Sequence, residues 1–423
     1  MLAAVVAGCF ILYADVHQSL QKGLRDPNDF VTLYAGTICT SSDCNPYSVP
    51  DLDATLRKQR GTAVLQDWTD QLPIYPPTTI FLLKPFARLS YGNATLVWYL
   101  LSLSVYVAGV LWAFVFSPAL RGEPPVLRAI AVLLALHFPK MIQCLGFGNP
   151  SLLVTGLLLL AIFDDLHQRY VPRVICAGVA VWLKFTSVLP LMLLVLFADR
   201  MHSKRAWRAG LSFAILTSGL LLYAGHPAGM HHWATDLRQD IAVGEQNGMN
   251  VSGRISPSNV LLNAANLPGY FTRNPLIIDA FVVMVVGILT MFLLIALARS
   301  YRSAQWERSG HELAIPAVAV LSLLPVYHRF CDIGLLILVL PWLIRRLSCR
   351  VDMLGSIVTV ILGLLYFSWE RRIHLERLSG GSLRLVEFLY YRGDALLVLL
   401  LAVLLVASFY RASHAEPDRA AVA

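Results

Sequence analysis

The chain has 423 residues, of which 57% are apolar and only 14% are charged. A soluble domain carries about 25% charged residues, and a globular core of this size could not enclose so much apolar surface. The mean hydropathy of +0.62 therefore indicates a protein that lipid solvates in part. It excludes a soluble enzyme, a disordered chain and a nucleic-acid-binding protein. The formal net charge of +8 then raises the question of which membrane face carries the basic residues.

Apolar runs recur along the whole chain, and several are shorter than the ~20 residues that a straight span needs. The short runs are paired across three polar turns, and such pairs are typical of broken helices that line a cavity. We predict an all-α polytopic membrane protein in one domain over residues 1–423, with about 10–12 transmembrane or half-membrane helices. The three turns are KMIQCLGFGNP at 140–150, KFTS at 184–187 and YHRFCD at 327–332.

The charges of the short loops predict the orientation of the chain. Alternate connections are rich in Lys and Arg, whereas each intervening turn holds a single basic residue. By the positive-inside rule the basic connections are cytoplasmic, and residues 412–423 form a flexible cytoplasmic tail. The three polar turns and the long loops 19–91, 226–275 and 370–393 are then extracytoplasmic. Amphipathic stretches at 50–60 and 78–89 predict interfacial helices in the first of these loops.

The seven cysteines fall into two groups. Cys39 and Cys44 share the polar loop CTSSDC, where an oxidising compartment would permit a disulfide; the sequence leaves this pairing open. The other five lie in or beside apolar segments, where a free cysteine usually packs as a small apolar residue. They are Cys9, Cys144, Cys176, Cys331 and Cys349.

Two carboxylates follow the first apolar run, in the segment DPNDFVTLY. Asp26 or Asp29 could act as a general base if it meets the hydroxyl group of an acceptor. Helix capping is the alternative, since Asp26 precedes Pro27 and Asp29 could cap the following helix. Both residues are therefore candidates for catalysis, and their spacing does not choose between them.

Two lysines, Lys140 and Lys184, lie at the tips of short apolar hairpins. An ionisable group at membrane depth usually has a function, because its burial is costly, and a lysine can hold a phosphate as a point charge. The alternative is that the side chain extends to the lipid headgroups. We predict substrate binding for both lysines, and the neighbouring hydroxyl groups of Thr186 and Ser187 support this role for Lys184.

Further candidate binding groups lie in two other polar segments. His328 and Arg329 occur in the YHRFCD turn, where a phosphate or a sugar hydroxyl is the expected ligand and an Arg329–Asp332 ion pair is the alternative. Arg254 lies in NGMNVSGRISPSN and could close over a phosphate or belong to an ordinary loop. No metal site is expected, because the histidines at 226, 231 and 232 lack acidic partners at ligand spacing.

Six segments, taken in order, resemble the integral-membrane glycosyltransferases of the GT-C superfamily, and most closely glycosyltransferase family 87. The combination of an acidic first loop, a tyrosine-diproline, GxGN and LKxTxxLP carries the resemblance, which runs over nearly the whole chain. The segments are DFVTLYAG (29–36), NPYSVPDL (45–52), YPPTTIFLLKPFARL (75–89), GFGNPSLLVTGLLLLAIF (146–163), AGVAVWLKFTSVLPLMLLVLF (177–197) and LLPVYHRFCDIGLLILVLP (323–341).

The resemblance implies transfer of a sugar from a polyprenyl-phosphate donor to a lipid or glycan acceptor. Characterised members are mannosyl- and arabinofuranosyltransferases that act on the outer membrane face with inversion and without a metal or cofactor. The acidic residue that acts as the catalytic base in the family corresponds to Asp29, and Asp26 is the alternative candidate for this role. The lysine of the short hairpin corresponds to Lys184. Tyr75 and Asn149, in the tyrosine-diproline and GxGN motifs, are expected to bind substrate. Many relatives carry a tryptophan-rich turn in place of YHRFCD.

A transporter or flippase of polyprenyl-linked or anionic lipids is the alternative, because broken helices and charges at membrane depth also occur there. The long loops on one predicted face and the lack of related halves favour the transferase. The sequence contains no glycine-rich phosphate-binding loop, so it gives no indication of a nucleotide site. The expected location is the bacterial inner membrane, with membrane lipids as partners and no nucleic acid.

Overall fold

The computed structural model describes residues 13–21, 28–42, 44–60, 75–117, 120–163, 170–184, 188–191, 193–194, 235, 262–302, 311–325, 330–349, 352–368 and 384–414. All regular elements in these residues are helices, which confirms the predicted all-α class. Four of the described helices are long and apolar enough to cross a membrane: Tyr91–Phe116, Pro125–Phe147, Pro275–Ser300 and Phe388–Ala412. Four shorter apolar helices accompany them, so the chain is a polytopic membrane protein.

The helices are numbered in chain order. The N-terminal set is α1 (Asn28–Cys39), α2 (Val49–Arg60), α3 (Pro77–Leu83), α4 (Tyr91–Leu111), α5 (Pro125–Leu136), α6 (Pro139–Phe147), α7 (Ser151–Ile162) and α8 (Tyr170–Leu183). The C-terminal set is α9 (Pro275–Arg302), α10 (His311–Leu321), α11 (Leu340–Cys349), α12 (Met353–Tyr366) and α13 (Arg384–Ala412). Short 3₁₀ segments cover Lys84–Arg88, Ala264–Asn266, Pro268–Tyr270 and Phe330–Val339.

The described residues form two compact units. The first unit holds the described residues up to Ser117, those from Val132 to Val188, and residue 235. The second unit holds residues 120–131 and the other described residues from Leu189 onward. The predicted single domain over residues 1–423 stays a prediction.

Helix α7 is the centre of the first unit. It is apolar on all sides, and nearly all of its residues are buried, as expected for a helix surrounded by other helices. It packs against α4 and α8. A Cβ atom on Gly156 of α7 would lie only 2.6 Å from the carbonyl oxygen of Val105 on α4. The absence of a side chain at Gly156 therefore allows the two backbones to meet.

The second unit is built around α13, which packs against α9, α10 and α12. Helix α9 presents large apolar side chains outward, among them Leu276 at 77% and Val283 at 72% exposure. Contiguous apolar surface of this kind is rare on soluble monomers. Lipid is the solvent that suits it.

The first long loop is largely helical. Residues 49–60 form α2, so the helix predicted at 50–60 is confirmed. The stretch predicted as one amphipathic helix at 78–89 is instead divided into α3, which is mostly buried, and a largely exposed 3₁₀ turn at Lys84–Arg88. Pro85 accounts for the change because it cannot donate a backbone hydrogen bond.

The polar turn predicted at 140–150 is much shorter in the structure. Residues 139–147 form α6, which continues the apolar segment begun by α5. Phe138 leaves the helical conformation, with φ −61° and ψ 110°, because a residue that precedes a proline is disfavoured there. Only Gly148–Pro150 remain as the turn between α6 and α7.

The cysteines differ in part from the sequence expectation. Cys39 and Cys44 form a disulfide at the end of α1. Cys144 and Cys331, which were expected to be free, are also disulfide-bonded, and Cys349 is a free thiol, as expected. The prediction that Cys144 and Cys331 are free was wrong because it used only the apolar character of the neighbouring residues. That local character does not show which cysteines come together after folding.

Candidate active site

The GxGN motif ends α6 in a left-handed residue. Gly148 has φ 66°, its N–H donates to Leu145 O at 2.9 Å, and the N–H of Asn149 donates to Cys144 O at 3.0 Å. This pattern is the Schellman motif, in which glycine avoids the strain of positive φ. A Cβ atom at Gly148 would also lie 2.7 Å from the Cβ of Phe30. Glycine is therefore required here by conformation and by the close approach of α1.

Asn149 connects three parts of the chain through its side-chain amide. Its Oδ1 accepts the backbone N–H of Ser151 at 2.9 Å, an Asx turn that starts α7. Because that contact requires an oxygen, Nδ2 points the other way and donates to Asp29 Oδ2 at 2.7 Å. Nδ2 also donates to the hydroxyl of Tyr75 at 3.3 Å.

Asp29 lies in the first turn of α1, where the helix dipole favours a negative charge. The next residue, Phe30, is buried and stacks on Trp98 with 5.4 Å between ring centroids. Trp98 Nε1 donates to Gly148 O at 2.8 Å. The start of α1 is therefore attached to the turn that carries Asn149, and this attachment positions the Asp29 carboxylate.

Lys184 directly follows the last residue of α8. Its backbone N–H donates to Ala180 O at 2.9 Å, and its Nζ donates to Ser151 Oγ at 2.8 Å. Two threonines of the YPPTT motif bind the carbonyl groups at the end of α8: Thr78 Oγ1 donates to Trp182 O at 2.9 Å, and Thr79 Oγ1 donates to Leu183 O at 3.1 Å. Carbonyl groups at a helix end have no intrahelical partner, so these threonines help to place Lys184.

The structure thus brings together four of the predicted site residues, Asp29, Tyr75, Asn149 and Lys184. A chain of polar contacts runs from the Asp29 carboxylate through Asn149 and Ser151 to the Lys184 ammonium group. Sequence reasoning missed Ser151. Its position two residues after Asn149, in the turn that starts α7, was the available signal.

Of the remaining candidates, only Lys140 is among the described residues, and it lies away from this site. Lys140 is 3% exposed and lies in the first turn of α6, at the opposite end of that helix from Asn149 and about 13 Å away along its axis. Asp26, Arg254, His328 and Arg329 lie outside the described residues, as do most of the loops 226–275 and 370–393. Their roles stay predictions.

Comparison with models of known protein families identifies glycosyltransferase family 87 over residues 74–325. The match covers more than half of the chain and includes Tyr75, Asn149, Ser151 and Lys184, whereas Asp29 precedes it. No curated protein and no solved structure matches the chain. The match, the apolar helices and the motifs agree, so the chain belongs to glycosyltransferase family 87 and is a membrane glycosyltransferase.

Proposed function

We propose that the protein transfers mannose or arabinofuranose from a polyprenyl-phosphate donor to a hydroxyl group of a lipid or glycan acceptor. The observation that carries this proposal is the polar chain from Asp29 through Asn149 and Ser151 to Lys184. Displacement of a lipid phosphate by a hydroxyl group needs a base for the hydroxyl proton and a cation for the departing phosphate. The site offers both groups at the two ends of one network.

The proposed step is a single displacement. Asp29 takes the proton of the acceptor hydroxyl while the oxygen attacks the anomeric carbon of the sugar. The bond between that carbon and the phosphate oxygen breaks, and its electron pair leaves with the lipid phosphate. Attack opposite the leaving group inverts the anomeric configuration. Asn149 orients the carboxylate, and Lys184 stabilises the negative charge that develops on the phosphate.

We place the reaction on the extracytoplasmic face of a bacterial inner membrane. The Cys39–Cys44 disulfide supports this placement, because it closes the C-terminal end of the same α1 helix that begins beside Asp29. Disulfides persist in oxidising compartments such as the periplasm. The basic connections predicted to be cytoplasmic agree with the same orientation.

The test is sugar transfer by the purified protein in detergent, with radiolabelled polyprenyl-phosphate mannose or polyprenyl-phosphate arabinose and an extract of candidate acceptors. We expect Asp29→Asn to lower the rate by about 100-fold or more, the effect typical of a lost general base. Asp53→Asn is the matched control, since Asp53 pairs only with Arg57 on the surface of α2 in the described contacts.

The same assay separates the two acidic candidates. If Asp26→Asn loses transfer and Asp29→Asn does not, the protein is still a sugar transferase, but its general base is Asp26. Full activity in both variants would contradict a base in this loop.

Lys184→Gln should also lower the turnover number in this assay, because the leaving phosphate would lose a charge partner.

A further inference from the structure

Arg392 is a fully buried cation in the second unit. It lies in α13 with 0% of its surface exposed. Its Nε, Nη1 and Nη2 atoms have no hydrogen-bond partner among the residues that the structure describes. A guanidinium group has five N–H donors and stays charged, and burial of such a group without a partner is strongly unfavourable. The described residues therefore leave the hydrogen-bonding capacity of this guanidinium unused.

The position of Arg392 along α13 indicates its depth in the membrane. The apolar span of this helix begins at Phe388, so Arg392 lies one helical turn inside, about 6 Å along the axis. The ring of Phe388 contacts Tyr270 at 5.3 Å and Phe271 at 5.6 Å between centroids. Such aromatic groups are typical of the interface between membrane and water. Arg392 thus lies near one end of the apolar span, about one helical turn from the aromatic residues at its boundary.

Among the side chains of α13 that the structure describes, the one carboxylate belongs to Asp394. Asp394 is two residues further along α13, and side chains at this spacing point to different sides of a helix. The segment 262–271 packs against α13, and the phenol of Tyr270 lies within electrostatic range of the guanidinium. On this segment Asn263 also has a buried Oδ1 without a partner among the described residues.

We propose that Arg392 binds the phosphate group of a membrane lipid, as a second anion site besides the one proposed at Lys184. The planar fork of a guanidinium matches two phosphate oxygens, and lipid phosphates are the anions available at this depth. The phosphate can come from a polyprenyl monoester or from a phospholipid diester. The inference depends on the burial and depth of Arg392 and does not require the sugar-transfer activity.

The test measures lipid binding to the purified protein in detergent by native mass spectrometry. The probes are polyprenyl phosphate, phosphatidylglycerol, uncharged polyprenol and inorganic phosphate, each titrated against wild type, Arg392→Gln and Arg392→Met. We expect at least one of the two lipid phosphates to bind wild type and to lose about 10-fold or more in affinity in both variants, a loss equivalent to about 1.4 kcal/mol. Arg411→Gln, at an exposed arginine in the last turn of the same helix, should bind as wild type does.

The arms of this experiment distinguish the sources of the phosphate. Selective loss of polyprenyl phosphate binding assigns the monoester, and selective loss of phosphatidylglycerol binding assigns the diester. Equal binding of inorganic phosphate, or undiminished lipid binding in both Arg392 variants, would overturn the proposal. Both variants should fold, because replacement of an uncompensated buried charge by a neutral group removes an unfavourable term. If Asp29→Asn loses sugar transfer but still binds the lipid phosphate, binding at Arg392 does not depend on the proposed transfer activity.

Discussion

A single amide, that of Asn149, links the acidic and the basic end of the candidate site. Its oxygen starts α7 through Ser151, and its nitrogen reaches Asp29 and Tyr75. The motif GxGN was visible in the sequence, and Asn149 was predicted to bind substrate. Its contact with Asp29, which is 120 positions earlier in the chain, depends on how α1 packs against the end of α6, and no local pattern contains that information.

Removal of the Asn149 amide should reduce turnover more than substrate affinity. We expect Asn149→Ala to lower kcat by about 10- to 100-fold, since a hydrogen bond to a charged group contributes about 1.5–3 kcal/mol. Steady-state kinetics would measure kcat and KM, and thermal unfolding in detergent would check the fold. Asn93→Ala, at an exposed asparagine near the start of α4, is the control. A variant with wild-type kcat would contradict the positioning role.

At the scale of the element, the ends of the helices carry the functional groups. Pro77 begins α3, the following threonines bind the last carbonyl groups of α8, and Lys184 comes next in the chain. The sequence showed Pro77 and Lys184, but it did not show that the YPPTT motif contacts the end of α8, where Lys184 lies. Another helix end, the start of α12, is stabilised by Asp352, which accepts the Gly355 N–H at 2.8 Å and pairs with Arg346.

The Asp352 cap predicts a pH dependence of stability. The hydrogen bond from Arg346 lowers the pKa of the Asp352 carboxyl, and the Gly355 N–H acts in the same direction, against the effect of partial burial. Because the pKa is lower in the folded state, the stabilisation is present above the unfolded value of about 3.9. It is lost as the pH falls through the folded value.

The measurement is the thermal unfolding of wild type and Asp352→Asn between pH 3 and pH 7. Asparagine remains a good cap, so the variant tests the charge, and we expect a destabilisation of about 0.5 kcal/mol at pH 7 for this partly exposed pair. The difference should shrink toward the acid end of the range. If the stability difference between wild type and Asp352→Asn is the same from pH 3 to pH 7, the charge of Asp352 is not the cause of that difference. Asp53→Asn on α2 serves as the control.

At the scale of the whole molecule, the first unit is held together by close contact between helices with small residues. Lipid chains are as apolar as leucine, so helices in a membrane gain little from the hydrophobic effect and associate by close packing. Gly109 and Gly156 place the backbones of α4 and α7 in contact. Helix α7 in turn begins with the Asn149–Ser151 turn, so this packing supports the site.

Enlargement of Gly156 should therefore separate α4 from α7. We expect Gly156→Ala to lower the free energy of unfolding by about 1–3 kcal/mol, the usual cost of overpacking. Thermal unfolding in detergent would show this as a lower Tm. Gly287→Ala on α9 is the control, because a Cβ atom there meets nothing within 4 Å, and its Tm should stay equal or rise. Equal Tm values for Gly156→Ala and wild type would contradict close packing at this point.

The sequence by itself determined the solvent and the class of this protein. An apolar fraction of 57% with few charges requires lipid, and runs near the length of a bilayer crossing require helices. The residues themselves marked Asp29 and Lys184 as candidates, because charged groups beside apolar runs are conspicuous, and the family resemblance added Tyr75 and Asn149. The tertiary structure decided which of these residues meet. It showed that Cys39 and Cys44 are bonded, that Ser151 joins the site, and that the guanidinium of Arg392 has no hydrogen-bond partner among the described residues. The contacts of Asn149 with Asp29 and of Lys184 with Ser151 join distant segments, so they arise from packing and no local pattern contains them.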